Sequence, residues 1–132
     1  MFGDTVRAYY DAFNRGDRDG MLALLSDDII HDVNQGAREL GKPAFAAFLA
    51  HMDRCYRERV EDLVIMIDPS GTRGAAEFTI VGEYLHDDEG LPPARGQRYR
   101  LPVVAAFAAA GDRIARVSNY YNLADWIRQV GG

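Results

Sequence analysis

The residue best suited to moving a proton lies in a short segment near the start of the chain. His31 stands within residues 29–34, and imidazole is the side chain whose ordinary pKa lies closest to neutral pH. Alternation along a strand puts Ile29, His31 and Val33 on one face. With a register shifted by one residue, Asp32 and Asn34 occupy that face instead, and Asp32 becomes the candidate base. A lone histidine here also fits a hydrogen-bonded core residue, so both readings stay open.

Other kinds of catalytic centre are not indicated by the residue types and their spacing. His31 and Asp32 form no recognised metal-ligand spacing with His51 or His86, so we predict neither a metal nor a cofactor. No glycine-rich loop precedes a helix in the way that phosphate binding requires. The single cysteine, Cys55, is expected to be a buried thiol.

The first twenty-five residues predict two helices joined by a tight break. Val6, Tyr9, Tyr10 and Phe13 recur at i, i+3, i+4 and i+7, which is the apolar stripe of an amphipathic helix with Tyr9 on its buried side. Gly16-Asp17 follows, where glycine can end one helix and aspartate can cap the next.

The remainder of the chain predicts one more long helix and then a series of strands. Lys42-Pro43 suits a helix start, and the apolar stripe that follows predicts a third helix ending near Arg59. The predicted strands are residues 29–34, 63–67, 73–85, 97–109 and 113–121, and a last helical turn covers residues 123–129. Residues 86–96 read as a polar loop, either a lid or an ordinary connection. This order predicts a single α+β domain over residues 1–132, with helices covering one face of the sheet.

Composition restricts the partners and the location that we expect. A net charge of −5 argues against a nucleic-acid surface, which needs a basic face. The longest apolar stretch, residues 101–110, is too short for a membrane span, and the N-terminus lacks the features of a secretory signal. We therefore expect a cytoplasmic protein with no nucleic-acid or membrane partner.

A family resemblance rests on the opening segment. The opening segment resembles the start of the nuclear transport factor 2-like superfamily. It consists of a helix, the break at Asn14-Arg-Gly-Asp17, a second helix, Asp27-Asp28 and a strand. This superfamily includes ketosteroid isomerase, the SnoaL-like polyketide cyclases and limonene epoxide hydrolase. The chain is most similar to the SnoaL-like, ketosteroid-isomerase-related group. The resemblance implies a cone-shaped α+β barrel with three N-terminal helices packed on a curved sheet, an apolar pocket at its open end, and a homodimer formed through the sheet.

The functional positions of these relatives are only partly kept. Tyr9 falls where ketosteroid isomerase carries the tyrosine that donates to the substrate oxyanion. Val33 and Ala105 fall where that enzyme has its base and its second donor. Asn119 falls where the epoxide hydrolase has its aspartate, and an amide can orient water or a carbonyl but cannot accept a proton near neutral pH. Neither familiar reaction is predicted intact.

Two main functions follow as hypotheses. The first is a cofactor-independent isomerase, cyclase or dehydratase acting on a small hydrophobic carbonyl compound, in which His31 or Asp32 moves the proton and Tyr9 holds the oxyanion. The second is a non-catalytic module for small-molecule binding or dimeric assembly, and a divergent epoxide hydrolase is a further alternative. In each case the expected contacts with the small molecule come from Asn119, Phe13, Val33, Phe48, Met52, Val103, Phe107, Tyr121 and Trp126.

Overall fold

Four helices and one six-stranded sheet make up the computed structural model, which describes residues 1–131. The helices are α1 (Phe2–Arg15), α2 (Arg18–Ala23), α3 (Lys42–Cys55) and α4 (Leu123–Gly131). The strands are β1 (Leu25–Asp32), β2 (Arg38–Leu40), β3 (Tyr56–Ile67), β4 (Arg73–Tyr84), β5 (Gln97–Ala110) and β6 (Arg113–Tyr121). None of the helices within residues 1–131 has the length and apolar character needed to cross a membrane.

The sheet is curved and unclosed, with strand order β2-β1-β6-β5-β4-β3. Every neighbouring pair is antiparallel except β1 and β6, which run parallel. The predicted α+β architecture with helices on a curved sheet is therefore confirmed.

The break between α1 and α2 forms as predicted. Gly16 has a φ of 72°, a left-handed conformation that glycine adopts at little cost. Its N–H donates to the Phe13 carbonyl at 3.0 Å. The Asp17 carboxylate then accepts a hydrogen bond from the Gly20 N–H at 2.8 Å, which caps α2.

Several boundaries differ from the prediction. Strand β1 begins at Leu25 because that residue already pairs with Ile114 of β6. The short strand β2, which was not predicted, pairs with β1 at the edge of the sheet. Helix α3 ends at Cys55 rather than near Arg59, since Tyr56 has extended backbone angles (φ −136°, ψ 152°) and opens strand β3. The apolar stripe of α3 continues across this boundary, which hid the change of period.

The inner face of the sheet and the helices form the core. Side chains of β5 alternate regularly, with Tyr99, Leu101, Val103, Ala105 and Phe107 buried. Phe107 was predicted to contact a ligand, but it is fully buried and its ring lies 6.1 Å from that of Tyr9 and 6.0 Å from that of Tyr10. The prediction that Phe107 contacts a ligand was wrong, because Phe107 is a core residue covered by α1.

The outer face of the sheet carries a row of exposed side chains. Val64, Glu77, Val104 and Tyr120 stand opposite one another in the registers of β3, β4, β5 and β6. The three apolar members are 50%, 39% and 57% exposed in that order. No helix within residues 1–131 covers this row.

Candidate functional site

A cavity of about 360 Å³ lies between the inner face of the sheet and the helices. Its walls are mainly apolar and aromatic, which suits a small apolar ligand. Most residues predicted for the site border it, namely Tyr9, His31, Asn119, Phe13, Val33, Phe48, Met52, Val103, Tyr121 and Trp126. The predicted residues that do not border it are Asp32 and Phe107.

His31 is held in an apolar part of the cavity wall. Its side chain is almost fully buried, and its ring centroid lies 4.7 Å from that of Phe45 and 4.5 Å from that of Phe48. Nδ1 is 3.4 Å from Glu39 Oε1, an electrostatic contact without hydrogen-bond geometry. Within residues 1–131 neither ring nitrogen has a hydrogen-bond partner.

The protonation state of His31 follows from these surroundings. Burial disfavours the charged imidazolium and lowers the pKa of His31, while the Glu39 carboxylate opposes that shift. The net direction is downward, so the ring is neutral at neutral pH. A neutral imidazole with an unbonded nitrogen can accept a proton from a ligand.

Asp32 lies outside the cavity, and the hypothesis that it faces inward was wrong. Its carboxylate accepts hydrogen bonds from Arg38 Nε at 2.7 Å and from Ser118 Oγ at 2.6 Å. These two contacts lower the pKa of Asp32 to about 2, so the carboxylate is charged and occupied. The physical reason is ordinary strand alternation, which keeps His31 inward and turns the next residue outward.

Asn34 follows the end of β1 and does border the cavity. Its Oδ1 accepts a hydrogen bond from the Tyr121 N–H at 3.2 Å, while Nδ2 is buried without a partner within the described residues. A ligand oxygen that accepted from Nδ2 would satisfy this donor.

Tyr9 presents a phenol to the cavity from α1. The residue is buried, and its ring packs edge-to-face on that of Tyr10 at 5.2 Å. Burial raises the pKa of Tyr9, with the Arg18 guanidinium opposing the shift. The hydroxyl therefore keeps its proton and can act as a hydrogen-bond donor.

Glu58 is a cavity residue that sequence reasoning missed. It extends from β3, and its Oε2 accepts a hydrogen bond from the Tyr99 hydroxyl at 2.5 Å. Burial raises the pKa of Glu58, with opposing contributions from the Tyr99 hydrogen bond and from Arg18. Alternation along β3 would have placed Glu58 on the same face as buried Val60. That signal was lost because α3 was predicted to continue to Arg59.

Arg18 connects these polar groups. Its guanidinium donates hydrogen bonds to the Asp53 carboxylate, from Nε at 3.0 and 3.1 Å and from Nη2 at 2.7 Å. It also lies 5.0 Å from the Phe13 ring centroid. The same cation acts on the pKa of Tyr9 and on that of Glu58. In both cases the cation favours the charged form and opposes the effect of burial.

Asn119 borders the cavity from β6, where it pairs with Ala105 of β5. The Ala105 side chain is fully buried and has no polar group. The amide of Asn119 is thus the polar group that this strand pair supplies to the cavity wall.

A second polar group joins α3 to the loop after β4. His51 Nε2 lies 3.0 Å from Asp88 Oδ1 and 4.0 Å from Cys55 Sγ. Within residues 1–131 these are the histidine, cysteine and carboxylate side chains close enough together to share a metal ion. His51 and Asp88 also border the cavity.

The similarities to known proteins agree with this fold. A proposed polyketide cyclase from Pseudomonas putida KT2440 is 58% identical, covers 98% of each chain and has a TM-score of 0.97. A proposed polyketide cyclase from Silicibacter sp. TM1040 is 53% identical over 99% of this chain and 96% of its own, with a TM-score of 0.98. A third, from Xanthomonas campestris pv. campestris, is 52% identical over 97% and 95%, with a TM-score of 0.94.

No curated protein matches the chain. The model of the SnoaL-like domain matches residues 6–117, which is most of the sequence. The chain therefore belongs to the SnoaL-like domain family of the nuclear transport factor 2-like superfamily.

Proposed function

We propose that the protein is a cofactor-independent enzyme that transfers a proton at the carbon next to the carbonyl group of a small apolar molecule. The observation that carries this proposal is His31, a neutral and buried imidazole whose nitrogens have no hydrogen-bond partner within residues 1–131, in the wall of an apolar cavity. A buried polar group without a partner is costly for folding. A reacting ligand would supply the missing partner.

The reaction begins with the neutral imidazole. His31 accepts a proton from the carbon next to the carbonyl, and the electron pair of that C–H bond moves to form the enolate. Tyr9 donates a hydrogen bond to the enolate oxygen as its negative charge develops. The imidazolium then returns the proton to a different carbon or, in a cyclisation, to the new alkoxide. Atoms and charges balance without an added reagent.

Glu58 supplies a second donor in this scheme. Its pKa is raised by burial, and Oε2 already accepts a hydrogen bond from the Tyr99 hydroxyl. When Glu58 carries a proton, it can donate from Oε1 to a ligand oxygen. Burial favours the neutral form of both Glu58 and His31. A neutral carboxylic acid can donate a proton and a neutral imidazole can accept one, and such acid–base pairs are common in catalysis near neutral pH. Asn119 and the Asn34 amide are the groups that orient the ligand.

Exchange of ligand protons with solvent tests the proposal before a substrate is known. We expect the wild-type protein to accelerate deuterium incorporation next to the carbonyl of 2-tetralone, a compact apolar ketone, in D₂O followed by NMR. His31→Gln should slow this exchange by about 100-fold or more. Tyr9→Phe should slow it by about 100-fold, because the oxyanion loses a donor. His86→Gln and Tyr120→Phe replace the same residue types outside the cavity and serve as controls.

Each outcome separates the proposed enzyme from the alternatives. Exchange that His31→Gln leaves unchanged would overturn the assignment of the base. Binding of 2-tetralone without accelerated exchange would favour the non-catalytic binding module. Epoxide hydrolysis by the wild-type protein, or its appearance in Asn119→Asp alone, would instead favour descent from an epoxide hydrolase.

A further inference from the structure

Three side chains of different ligand type converge where α3 meets the loop after β4. His51 and Cys55 are four residues apart on α3 and therefore lie on one side of the helix. Asp88 comes from the loop and faces both of them, with each offered ligand atom within 4.8 Å of the others. Cys55 is fully buried, while the other two are partly exposed.

The direction of the histidine distinguishes an ion site from a catalytic relay. A nucleophile–histidine–carboxylate relay uses both ring nitrogens, one toward the nucleophile and one toward the acid. Here a single nitrogen, His51 Nε2, faces both Asp88 Oδ1 at 3.0 Å and Cys55 Sγ at 4.0 Å. Ligand atoms bound to one tetrahedral Zn²⁺ at about 2.0–2.3 Å lie about 3–4 Å apart. The two separations from His51 Nε2 fall in that range, and all three ligand atoms lie within 4.8 Å of one another. The Cys55 thiol donates to the Asp87 carbonyl at 3.8 Å, and it would turn from that carbonyl to the ion on binding.

Surrounding hydrogen bonds hold the ligands in position. The carbonyl of Cys55 accepts from the Leu85 N–H at 2.8 Å and from the His86 N–H at 3.3 Å, which ties the loop to the end of α3. The Tyr56 hydroxyl donates to Asp88 Oδ2 at 2.6 Å. It thereby orients the carboxylate and leaves Oδ1 for the shared position, as outer partners commonly do at metal sites.

We propose that His51 Nε2, Cys55 Sγ and Asp88 Oδ1 form a binding site for a borderline divalent cation of the Zn²⁺ type. Nitrogen, sulfur and oxygen ligands together suit this class of metal better than Mg²⁺ or Ca²⁺. Binding releases the Cys55 proton, so the thiolate is the ligand. Three protein ligands leave a fourth position for water or another ligand. His51 and Asp88 also border the cavity.

This site is independent of the proton-transfer proposal, which uses none of the three residues. The proposal differs from our sequence-based expectation that the chain binds no metal. The i, i+4 spacing of His51 and Cys55 is visible in the sequence. Asp88, however, joins them only through the packing of the loop on α3.

Cobalt titration tests the site directly, because the chain has one cysteine. Any thiolate-to-cobalt charge-transfer band must therefore arise from Cys55. We expect Co²⁺, added to chelator-treated, reduced full-length protein, to produce this band with one equivalent. Zn²⁺ should then remove the band, since it binds more tightly than Co²⁺ at such sites.

Variants assign the remaining ligands. Cys55→Ser should abolish the band. Tyr56→Phe removes the hydrogen bond that orients Asp88 and should weaken Co²⁺ binding by about 10- to 100-fold. His51→Gln and Asp88→Asn each remove a ligand and should weaken Co²⁺ binding by at least as much. His86→Gln, a neighbouring histidine outside the cluster, should bind as the wild type does. If Cys55→Ser does not fold, the His51 and Asp88 variants decide the question, because those side chains are partly exposed. Absence of the band in the wild type, or a band unchanged by both variants, would overturn the proposal.

Discussion

His31 and Asp32 are adjacent in sequence but have opposite electrostatic surroundings. The imidazole points into an apolar wall, and burial lowers its pKa. The carboxylate points outward to Arg38 and Ser118, and their hydrogen bonds lower its pKa to about 2. One residue is therefore kept neutral and the other charged, which makes the neutral one the better proton acceptor for a ligand.

The pH dependence of stability should report the burial of His31. Its pKa is lowered from 6.5 in the folded protein, so the unfolded chain binds the proton first as the pH falls. The stabilisation is complete above about pH 6.5 and is lost as the pH falls through the lowered pKa. Urea unfolding from pH 8 to pH 5 should show this loss in the wild type, and His31→Gln should flatten it.

The matched control replaces the exposed His86 by Gln, which should keep the wild-type dependence in the same pH range. Identical profiles for the wild type and His31→Gln would contradict burial of a neutral imidazole.

At the scale of elements, Asp32 joins three strands. Its own strand is β1, Arg38 belongs to β2, and Ser118 belongs to β6. Ser118 Oγ also accepts a hydrogen bond from Arg116 Nη1 at 2.9 Å. This network lies where β1 and β6 pair in parallel, behind the strand segment that carries His31.

Replacing Asp32 by Asn should lower the free energy of unfolding by about 2 kcal/mol at pH 7, because charge-assisted hydrogen bonds are lost. Since the folded pKa is depressed, the difference from wild type should be full above about pH 3.8 and should vanish as the pH falls to about 2. Denaturant unfolding at a series of pH values measures it. Asp28→Asn, an exposed carboxylate on the same strand, should have little effect, and equal effects of the two variants would contradict the network.

Element boundaries decided how much of the site could be predicted from sequence. The α1–α2 break was predictable because Gly16 and Asp17 act locally. The end of α3 was not, because Tyr56 continues the apolar spacing of the helix while its backbone is already extended. That error of a few residues concealed Glu58, whose orientation depends on the period-two pattern of β3.

Contacts between distant segments could not be predicted from the sequence either. Phe107 has the residue type of a cavity wall, but α1 packs over it and makes it core. The convergence of Asp88 with His51 likewise depends on loop packing that no local pattern encodes. The faces that carry Tyr9 and His31 were predicted from the periodicity of a helix and of a strand, whereas the assignment of these residues to a pocket came from the family resemblance.

At the scale of the molecule, we propose that the outer face of the sheet forms a homodimer. Val64, Val104 and Tyr120 present apolar surface in one row across four strands, with Glu77 between the first two. Apolar patches of this kind commonly mark interaction surfaces. A second copy of the chain would cover the row while leaving the cavity on the other face.

Light scattering after size-exclusion chromatography should show a dimer for the wild type. Val104→Arg should raise the dissociation constant by about 30-fold or more, because it places a charge at the centre of the row. Leu85→Arg changes an exposed leucine outside the strands and should leave the mass unchanged. A monomeric wild type, or a Val104→Arg protein that associates as well as wild type, would rule out this interface.

The parallel pairing of β1 with β6 also sets the order in which the protein can fold. Asp32 and Ser118, hydrogen-bonded in the native state, are 86 residues apart, whereas β3, β4, β5 and β6 each pair with a neighbour along the chain. Contacts of such long separation form slowly because loop closure precedes any gain. During synthesis α1, α2 and β1 emerge before β6, so the pairing of β1 with β6 cannot form until β6 has been made. We therefore expect the cavity to be assembled only after β6 is available to pair with β1.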